Sequence, residues 1–233
     1  MPASLLEVRG LSYVQPNGVK ALAEVSFRLN NQETLTLLGP NGSGKTTLLL
    51  HLNGTLQGTG NIYIEGLPVT GDRLREVRRS VGIVFQDADE QLFMPTVLED
   101  VMFGPLNLGL SAADAEITAV QALNEVGITS DLLRRPPFHL SQGEKRRVAL
   151  AGVLAMKPKL LLLDEPTTSL DPPGQKLLIK LLKALPQSKI IATHDIHFAA
   201  QLSNRAIFLD RGQLLADGDL TGIVERYEWN PYS

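Results

Sequence analysis

The residues whose types and spacing best suit chemistry are Gly39, Pro40, Asn41, Gly42, Ser43, Gly44, Lys45 and Thr46. They fit the pattern G-x-x-x-x-G-K-[ST] of a phosphate-binding loop. Glycines let such a loop curl until successive N–H groups point into one concavity, and a following helix adds partial positive charge there. Lys45 can reach terminal phosphates as a point charge, and the Thr46 hydroxyl can ligate Mg²⁺. A second chemical pair, Asp164 and Glu165, follows four consecutive leucines. A carboxylate at the tip of a buried strand beside a phosphate loop suits Mg²⁺ coordination through water. Its neighbour can polarise an attacking water.

These groups need rigid elements to hold them. Thr34–Leu38 reads as a buried strand before the loop, and the segment from Thr47 to Leu52 reads as a helix after it. Leu160–Leu163 is continuous and apolar, as in a strand covered on both faces of a parallel sheet. Val81–Phe85 and Ile190–Thr193 read the same way. Leu6–Arg9 and Val25–Leu29 alternate apolar and polar like half-buried strands, with a turn at Pro16-Asn17-Gly18. Gly60–Gly66 is a further short strand. Two more strands flank a hairpin turn at Asp210-Arg211-Gly212, and a last helix lies near Thr221–Tyr227.

The middle of the chain changes character. Asp72–Arg79 is polar and helical, and Thr96–Phe103 reads as a helix that Gly104-Pro105 stops or kinks. Ser111 caps a helix that reaches about Val126, with Ile117, Val120, Leu123 and Val126 expected on its buried face. Pro136-Pro137 breaks the chain, and Ser141 caps a long helix through Ala155. Residues 86–138 therefore read as a helical insertion in an α/β chain. Arg134-Arg135 and Lys145-Arg146-Arg147 read as short basic runs on solvated faces. The tail after Tyr227, with Trp229, is expected to be peripheral packing or disorder.

Bulk properties narrow the classes. The 233 residues carry a net charge of −3, against the basic surplus usual in nucleic-acid binders. There is no cysteine, so disulfides, thiolate metal ligands and a cysteine nucleophile are excluded. No stretch reaches the roughly 18 apolar residues of a membrane span, and the first residues lack the pattern of a signal peptide. Any membrane role therefore calls for a partner. His194 and His197 lie three apart without further ligands, which does not make a metal site.

At Leu140-Ser141-Gln142-Gly143-Glu144 the chain resembles the Leu-Ser-Gly-Gly-Gln signature of ATP-binding-cassette (ABC) ATPases. Other marks stand in family order. Gln86 matches the Q-loop glutamine, Ser169-Leu170-Asp171 the D-loop, and His194 the switch histidine. Tyr13 sits where the family stacks an aromatic on adenine. Taken singly, Tyr13 could cover a core edge, Gln86 could be a polar loop residue and His194 a hydrogen-bonded core histidine. In sequence the resemblance covers about residues 5–220. It implies a P-loop NTPase of ABC type. The fold is α/β, with a mainly parallel central sheet, an N-terminal antiparallel β portion and a helical insertion. One domain is expected over residues 1–233. Within it, 1–85 and 139–220 form the core, about 86–138 the Q-loop and helical subdomain, and 221–233 a short tail.

The resemblance further implies ATP and Mg²⁺ as cofactors. ATP would be held by Tyr13, Gly39 through Gly44, Lys45, Thr46, Thr47 and Gln86; Mg²⁺ would be held by Thr46, Gln86 and Asp164. Glu165, His194 and Lys45 would be catalytic. Ser141, Gln142, Gly143 and Glu144 would act on the nucleotide of a second subunit, and a homodimer is the simplest assembly, a heterodimer with a paralogue the other. Gln142 and Glu144 depart from the family's glycine and glutamine, and Glu144 adds a negative charge beside the second anion site.

A narrower resemblance lies in the insertion, through Gln91-Leu92-Phe93, Pro95-Thr96-Val97, Glu99-Asp100-Val101, Phe103-Gly104-Pro105 and Asn107-Leu108-Gly109. It points to the energy-coupling-factor (ECF) branch, with cobalt and nickel import ATPases nearest. It implies an ATPase peripheral to the cytoplasmic face of a membrane. The partners would be an integral membrane coupling subunit and a substrate-binding membrane subunit, docked through Leu92, Phe93, Met94 and Phe103. Local core filling is the plainer role for those four. The C-terminal extension carried by many ECF ATPases is expected to be reduced or missing. An ECF vitamin importer and a soluble ABC ATPase are the alternatives.

Overall fold

The computed structural model describes residues 4–229. Strands β1 (Ser4–Val14), β2 (Lys20–Asn30), β4 (Thr59–Ile64) and β5 (Leu67–Pro68) form an antiparallel sheet in the order β2-β1-β4-β5. A second sheet contains β3 (Thr34–Leu38), β6 (Val81–Val84), β7 (Leu160–Asp164), β8 (Ser188–Ala192), β9 (Arg205–Asp210) and β10 (Gln213–Asp219), in the order β10-β9-β3-β8-β7-β6. All its pairs are parallel except β9 with β10. The expected α/β class, with a mainly parallel sheet beside an antiparallel one, is what the chain adopts.

Burial explains the parallel sheet. Leu160, Leu161, Leu162 and Leu163 are at most 1% exposed, so β7 is covered on both faces. One core joins β7 and β8 to the antiparallel sheet, and a second joins their opposite faces to the helices. Truncating one of these leucines to alanine would cost about 2–5 kcal/mol. Pairing also sets the register of the strand tips. Leu37 lies opposite Ala192, and Ala192 opposite Asp164, so three neighbouring strands end together. Their C-terminal tips form the edge where open α/β sheets bind ligands.

Helix α1 (Lys45–Leu52) follows β3, and α2 (Leu74–Ser80) precedes β6. The insertion is helical, as expected, with α3 (Val97–Asn107) and α4 (Ala112–Glu125) as its main elements. Two details differ from expectation. Of the two outcomes expected at Gly104-Pro105, a stop or a kink, the stop does not occur, and α3 continues to Asn107. Pro105 removes the donor that would meet the Val101 carbonyl, but only two residues follow it in the helix, and its ring is buried. The buried face of α4 is Ala115, Ala119, Ala122 and Leu123, while Ile117 is 57% exposed. Small side chains let α4 approach α3 and α5 (Gln142–Leu154), so alanines rather than branched residues mark the contact.

Helices α6 (Pro172–Ala184), α7 (Ile196–Leu202) and α8 (Leu220–Arg226) complete the fold. Trp229 packs edge-on against Phe208, whose ring stacks on Tyr227. The rest of the expected tail, residues 230–233, lies outside the described residues.

Candidate nucleotide-hydrolysis site

The loop between β3 and α1 takes a conformation only glycine tolerates at two points. Gly39 has φ +144°, and a Cβ there would stand 1.9 Å from the Leu209 carbonyl oxygen. Gly44 has φ +106°, and its Cβ would meet the Ala21 carbonyl at 2.5 Å. The loop is thus pressed against the β9–β10 hairpin and β2. Gly212 donates to the Ser43 carbonyl at 2.9 Å, which fixes the hairpin turn over the loop.

Lys45 is buried, and its Nζ donates to the Gly39 and Pro40 carbonyls at 2.7 and 3.1 Å. Burial lowers its pKa, and the carboxylates of Glu165 and Asp164 oppose that shift. The Thr46 hydroxyl donates to Asp164 Oδ2 at 2.6 Å, joining the start of α1 to the tip of β7. Burial also raises the Asp164 pKa, more than the Thr46 hydrogen bond lowers it. These two oxygens face each other beside a cation, a hard-donor pair of the kind Mg²⁺ takes.

Glu165 has φ +43°, left-handed for a residue with a side chain. Its surroundings over-determine that strained state. Its N–H donates to the Ala192 carbonyl at 2.8 Å, and its own carbonyl accepts from Thr168 N–H at 3.2 Å. His194 Nδ1 lies 2.9 Å from Glu165 Oε2, and the His194 N–H reaches the same oxygen at 3.4 Å. The side chain of His194 is 64% exposed, so it is no core histidine.

Around these groups lies a cavity of about 520 Å³ lined by Gln15, Val19, Lys20, Asn41, Gly44, Lys45, Thr46, Gln86, Asp164, Glu165 and Arg211, among others. A second, of about 400 Å³, shares Thr46, Gln86 and Asp164 and adds Gln142, Arg146 and Ser169. Gln86 thus joins the loop and the Asp164-Glu165 pair. Tyr13 is not among the lining residues. It packs against the main core, with its ring edge-on to His51 at 4.7 Å.

Ser141 and Gly143 stand apart from the phosphate loop at the exposed start of α5. Ser141 accepts from Glu144 N–H at 3.3 Å, and Glu144 Oε2 accepts from Ser141 N–H at 2.8 Å, a complete capping box. The Ser141 hydroxyl also donates to that carboxylate, at 2.7 Å. Those bonds lower the Glu144 pKa. At Gly143 a Cβ would meet nothing closer than 3.8 Å, so its own chain places no demand for glycine there. Asp171 caps α6 through Gly174 N–H, and Leu170 packs on the second core.

The basic run on α5 is not a solvated face. Lys145 and Arg146 are 8% and 6% exposed. The first turns of α5 lie under the Q-loop, where Lys145 pairs with Asp89 at 2.6 Å and Arg146 binds main-chain carbonyls. Arg134 and Arg135 are exposed, as expected. Arg211 and Lys20, two cations that line the cavity beside the loop, carry no mark of that position in the sequence. Only Arg211's place in a D-R-G turn could draw attention to it.

In the insertion, Leu92, Phe93 and Phe103 line a further cavity of about 520 Å³ with Arg75, Arg78, Arg79, Asp100 and Met156. Met94 is not among its lining residues. Phe93 and Phe103 contact edge-to-face at 5.0 Å, and Phe93 is 63% exposed. Asp100 Oδ1 accepts from the N–H groups of Phe93 and Met94 at 3.0 Å each. Its Oδ2 is buried without a hydrogen-bond partner among the described residues, and burial raises the pKa of the carboxyl group.

A family profile described as ABC transporter matches residues 22–168, and the chain belongs to that family. It is 47% identical over 226 residues to the cobalt import ATP-binding protein CbiO of Rhodobacter capsulatus, covering 94% of this chain and 80% of that one. It is 46% identical over 220 residues to the energy-coupling factor transporter ATP-binding protein EcfA of Methanothermobacter thermautotrophicus, covering 92% and 70%. The fold matches cbiO1 of Clostridium perfringens, part of the ABC transporter complex cbiONQ, with TM-score 0.83 and 37% identity over 97% of this chain and 92% of that one. It also matches a dimeric bacterial ABC transporter cassette, with TM-score 0.82 and 28% identity, over 92% and 98%. The resemblance to ABC ATPases, and within them to ECF and cobalt-import relatives, is borne out. The chain is an ATP-binding, ATP-hydrolysing subunit of a transporter.

Proposed function

We propose that this chain energises an ECF-type membrane importer, with cobalt or nickel ions as cargo, by hydrolysing ATP between two subunits. The observation that carries the hydrolytic part is Glu165, held in a strained backbone conformation with His194 on its carboxylate, one residue beyond the Thr46–Asp164 pair. The cargo assignment is supported by the cobalt-import relative from Rhodobacter capsulatus.

In this reading the loop amides and Lys45 hold the phosphates, Lys45 exchanging its two carbonyl partners for phosphate oxygens. Gln15 and Val19 at the β1–β2 turn, which line the cavity where Tyr13 does not, contact the base. Thr46, Asp164 and Gln86 would hold Mg²⁺, directly or through water; when bound, the ion neutralises charge on the β- and γ-phosphates. Glu165 accepts a proton from water as the water oxygen bonds to the γ-phosphorus. The bond to the bridging oxygen breaks, and that oxygen leaves with its electron pair on ADP. His194, oriented by Nδ1 on Glu165, steadies the γ-phosphate. Ser141 and Gly143 of a second copy close the site at the start of α5. The open space at Gly143 fits an approach from outside its own chain.

The groove between α3 and α5 is the docking place for a helix of the membrane coupling subunit. A lining of Leu92, Phe93, Phe103 and Met156 beside Arg75, Arg78 and Arg79, with Asp100 Oδ2 buried and unpartnered among the described residues, suits a helix with an apolar face and polar groups at its rim. The chain would then sit at the cytoplasmic face as a peripheral subunit. Among the described residues no helix is long and apolar enough to cross a membrane. A homodimer supplies two complete sites, and a heterodimer with a paralogue the same geometry.

The test is Glu165→Gln. The side chain keeps its size and can still accept from His194, so Mg-ATP affinity is retained. Steady-state hydrolysis falls about 10²–10⁴-fold, the range of a general base, and an ATP-bound dimer accumulates. Wild-type turnover in this variant would refute the assignment.

A further inference from the structure

Arg146 is 6% exposed, and its three hydrogen bonds all go to main-chain carbonyls. Nη1 donates to Glu165 O at 3.1 Å, and Nη2 to Gln86 O at 2.9 Å and Thr168 O at 3.0 Å. No carboxylate pairs with it among the described residues, although Asp87 acts on it through space. Lys145, beside it on α5, is satisfied by Asp89 instead. Taking a cation out of water without a paired anion is costly. Its planar fork reaches three carbonyls from two nitrogens held at a fixed spacing, a spread that one ammonium or amide nitrogen does not span.

The carbonyls it gathers belong to the hydrolytic apparatus. Glu165 and Ser169 both have left-handed backbones, φ +43° and +64°. Arg146 holds the carbonyl of the first and the carbonyl just before the second, so it grips both ends of that tight turn. Its third bond fixes Gln86 to the same point. Arg146 also rides on α5, five residues or about 7.5 Å along the axis from Ser141. A shift of α5 when Ser141 meets the nucleotide of another copy is therefore felt at the Glu165 carbonyl.

We propose that Arg146 is a positioning residue that sets the carboxylate of Glu165 and the amide of Gln86 for attack, and ties both to the signature helix of the same chain. This rests on Glu165 acting as the base. Arg146 itself touches no reacting atom, and Gln86 is one of several groups on the nucleotide, so its loss acts on turnover far more than on binding.

The experiment compares Arg146→Met, Arg146→Lys, Arg146→Ala and Lys145→Met in the full chain. Glu165→Gln is assayed alongside. Steady-state kcat and KM for Mg-ATP, nucleotide affinity by calorimetry and thermal midpoints are recorded. Arg146→Met is expected to lower kcat about 30-fold with KM and affinity within twofold. Arg146→Lys keeps an intermediate rate, and millimolar guanidinium raises the kcat of Arg146→Ala several-fold without changing wild type. Lys145→Met, which breaks the adjacent half-buried ion pair, loses midpoint but keeps kcat within threefold.

The proposal is overturned if Arg146→Met turns over within twofold of wild type. It is also overturned if affinity falls in step with kcat, or if Lys145→Met loses as much kcat for the same loss of midpoint. Should Arg146→Met fail to fold, the lysine variant and the guanidinium series decide alone. Absence of rescue together with a wild-type rate for lysine counts against the role. If Glu165→Gln itself keeps turnover, the hydrolytic reading fails, and this inference with it. If Glu165→Gln is inactive and Arg146→Met is not impaired, only the inference fails.

Discussion

Glu144→Gln separates the structural task of the signature helix from its task on nucleotide. Glu144 takes part in three hydrogen bonds at the start of α5: its carboxylate accepts from the Ser141 N–H and hydroxyl, and its own N–H donates back to Ser141. For the Ser141 hydroxyl to donate to a phosphate, the 2.7 Å bond to Glu144 must first be given up. A hydrogen bond to a charged group contributes about 1.5–3 kcal/mol, and a neutral one about 0.5–1.5 kcal/mol. Ser141 is exposed, so water competes and the lower part of that difference applies. Releasing the hydroxyl from an amide is then easier by about 0.5–1 kcal/mol per site. Two sites in a symmetric sandwich give about 1–2 kcal/mol, or roughly 5- to 30-fold tighter ATP-driven association. The helix loses a favourable charge at its N-terminus, about 0.3–1 kcal/mol, while Gln still completes a capping box. The assay is sedimentation of Glu165→Gln and the Glu144→Gln/Glu165→Gln double variant in saturating Mg-ATP, with thermal midpoints without nucleotide. A small drop in midpoint with a tighter dimer is expected. An unchanged or weaker dimer at an unchanged midpoint would refute the reasoning that Glu144 competes for the Ser141 hydroxyl.

Two further outcomes follow from buried charge and exposed apolar surface. Burial raises the Asp164 pKa above its ordinary 3.8, so the protonated form contributes stability that is fully present below 3.8 and is lost as pH rises through the higher native value. Asp164→Asn removes that dependence. The nucleotide-free variant should melt higher than wild type at neutral pH and alike near pH 3, while Mg-dependent hydrolysis disappears; an equal or lower neutral midpoint would contradict the sign. Phe93→Asp places a charge on the exposed rim of the docking groove and removes one ring contact, for a stability change under about 1 kcal/mol. Basal hydrolysis is expected to persist while co-purification with the membrane subunits is lost. Wild-type recovery of the complex would count against the groove.

The fold is legible wherever one residue type serves one purpose. Four leucines covered on both faces can hardly be anything but a central parallel strand. Gly39 and Gly44 mark the phosphate loop by their spacing alone, and the positive φ at both shows why no other residue serves there. The α4 face is read correctly at Leu123 and Val126, which are buried, and missed at Ile117, where hydrophobicity is weighed and size is not. Alanines at 115, 119 and 122 bury less surface than Ile117 would but permit the close helix contact. Gly104-Pro105 invites too much weight, because a proline two residues from the C-terminal end of a helix breaks one bond with little helix left to lose, and its buried ring offsets part of that.

Charge is the harder case, and the run Lys145-Arg146-Arg147 shows why. A cation written in sequence carries no sign of where its counter-groups lie. For Lys145 the partner is 56 residues away, and for Arg146 the acceptors lie 19, 22 and 60 residues away. Moreover, those acceptors are carbonyls, which every residue has, so no pattern of side chains could mark them. The capping box at Ser141 and Glu144 illustrates the opposite limit, since both partners lie within one turn and their spacing alone foretells the bond. Local chemistry is readable because spacing fixes geometry. A buried cation that holds main-chain oxygens brought together by the sheet is readable only once the sheet has formed. That is also why substitution at Arg146 is expected to disturb the rate before it disturbs the binding of nucleotide.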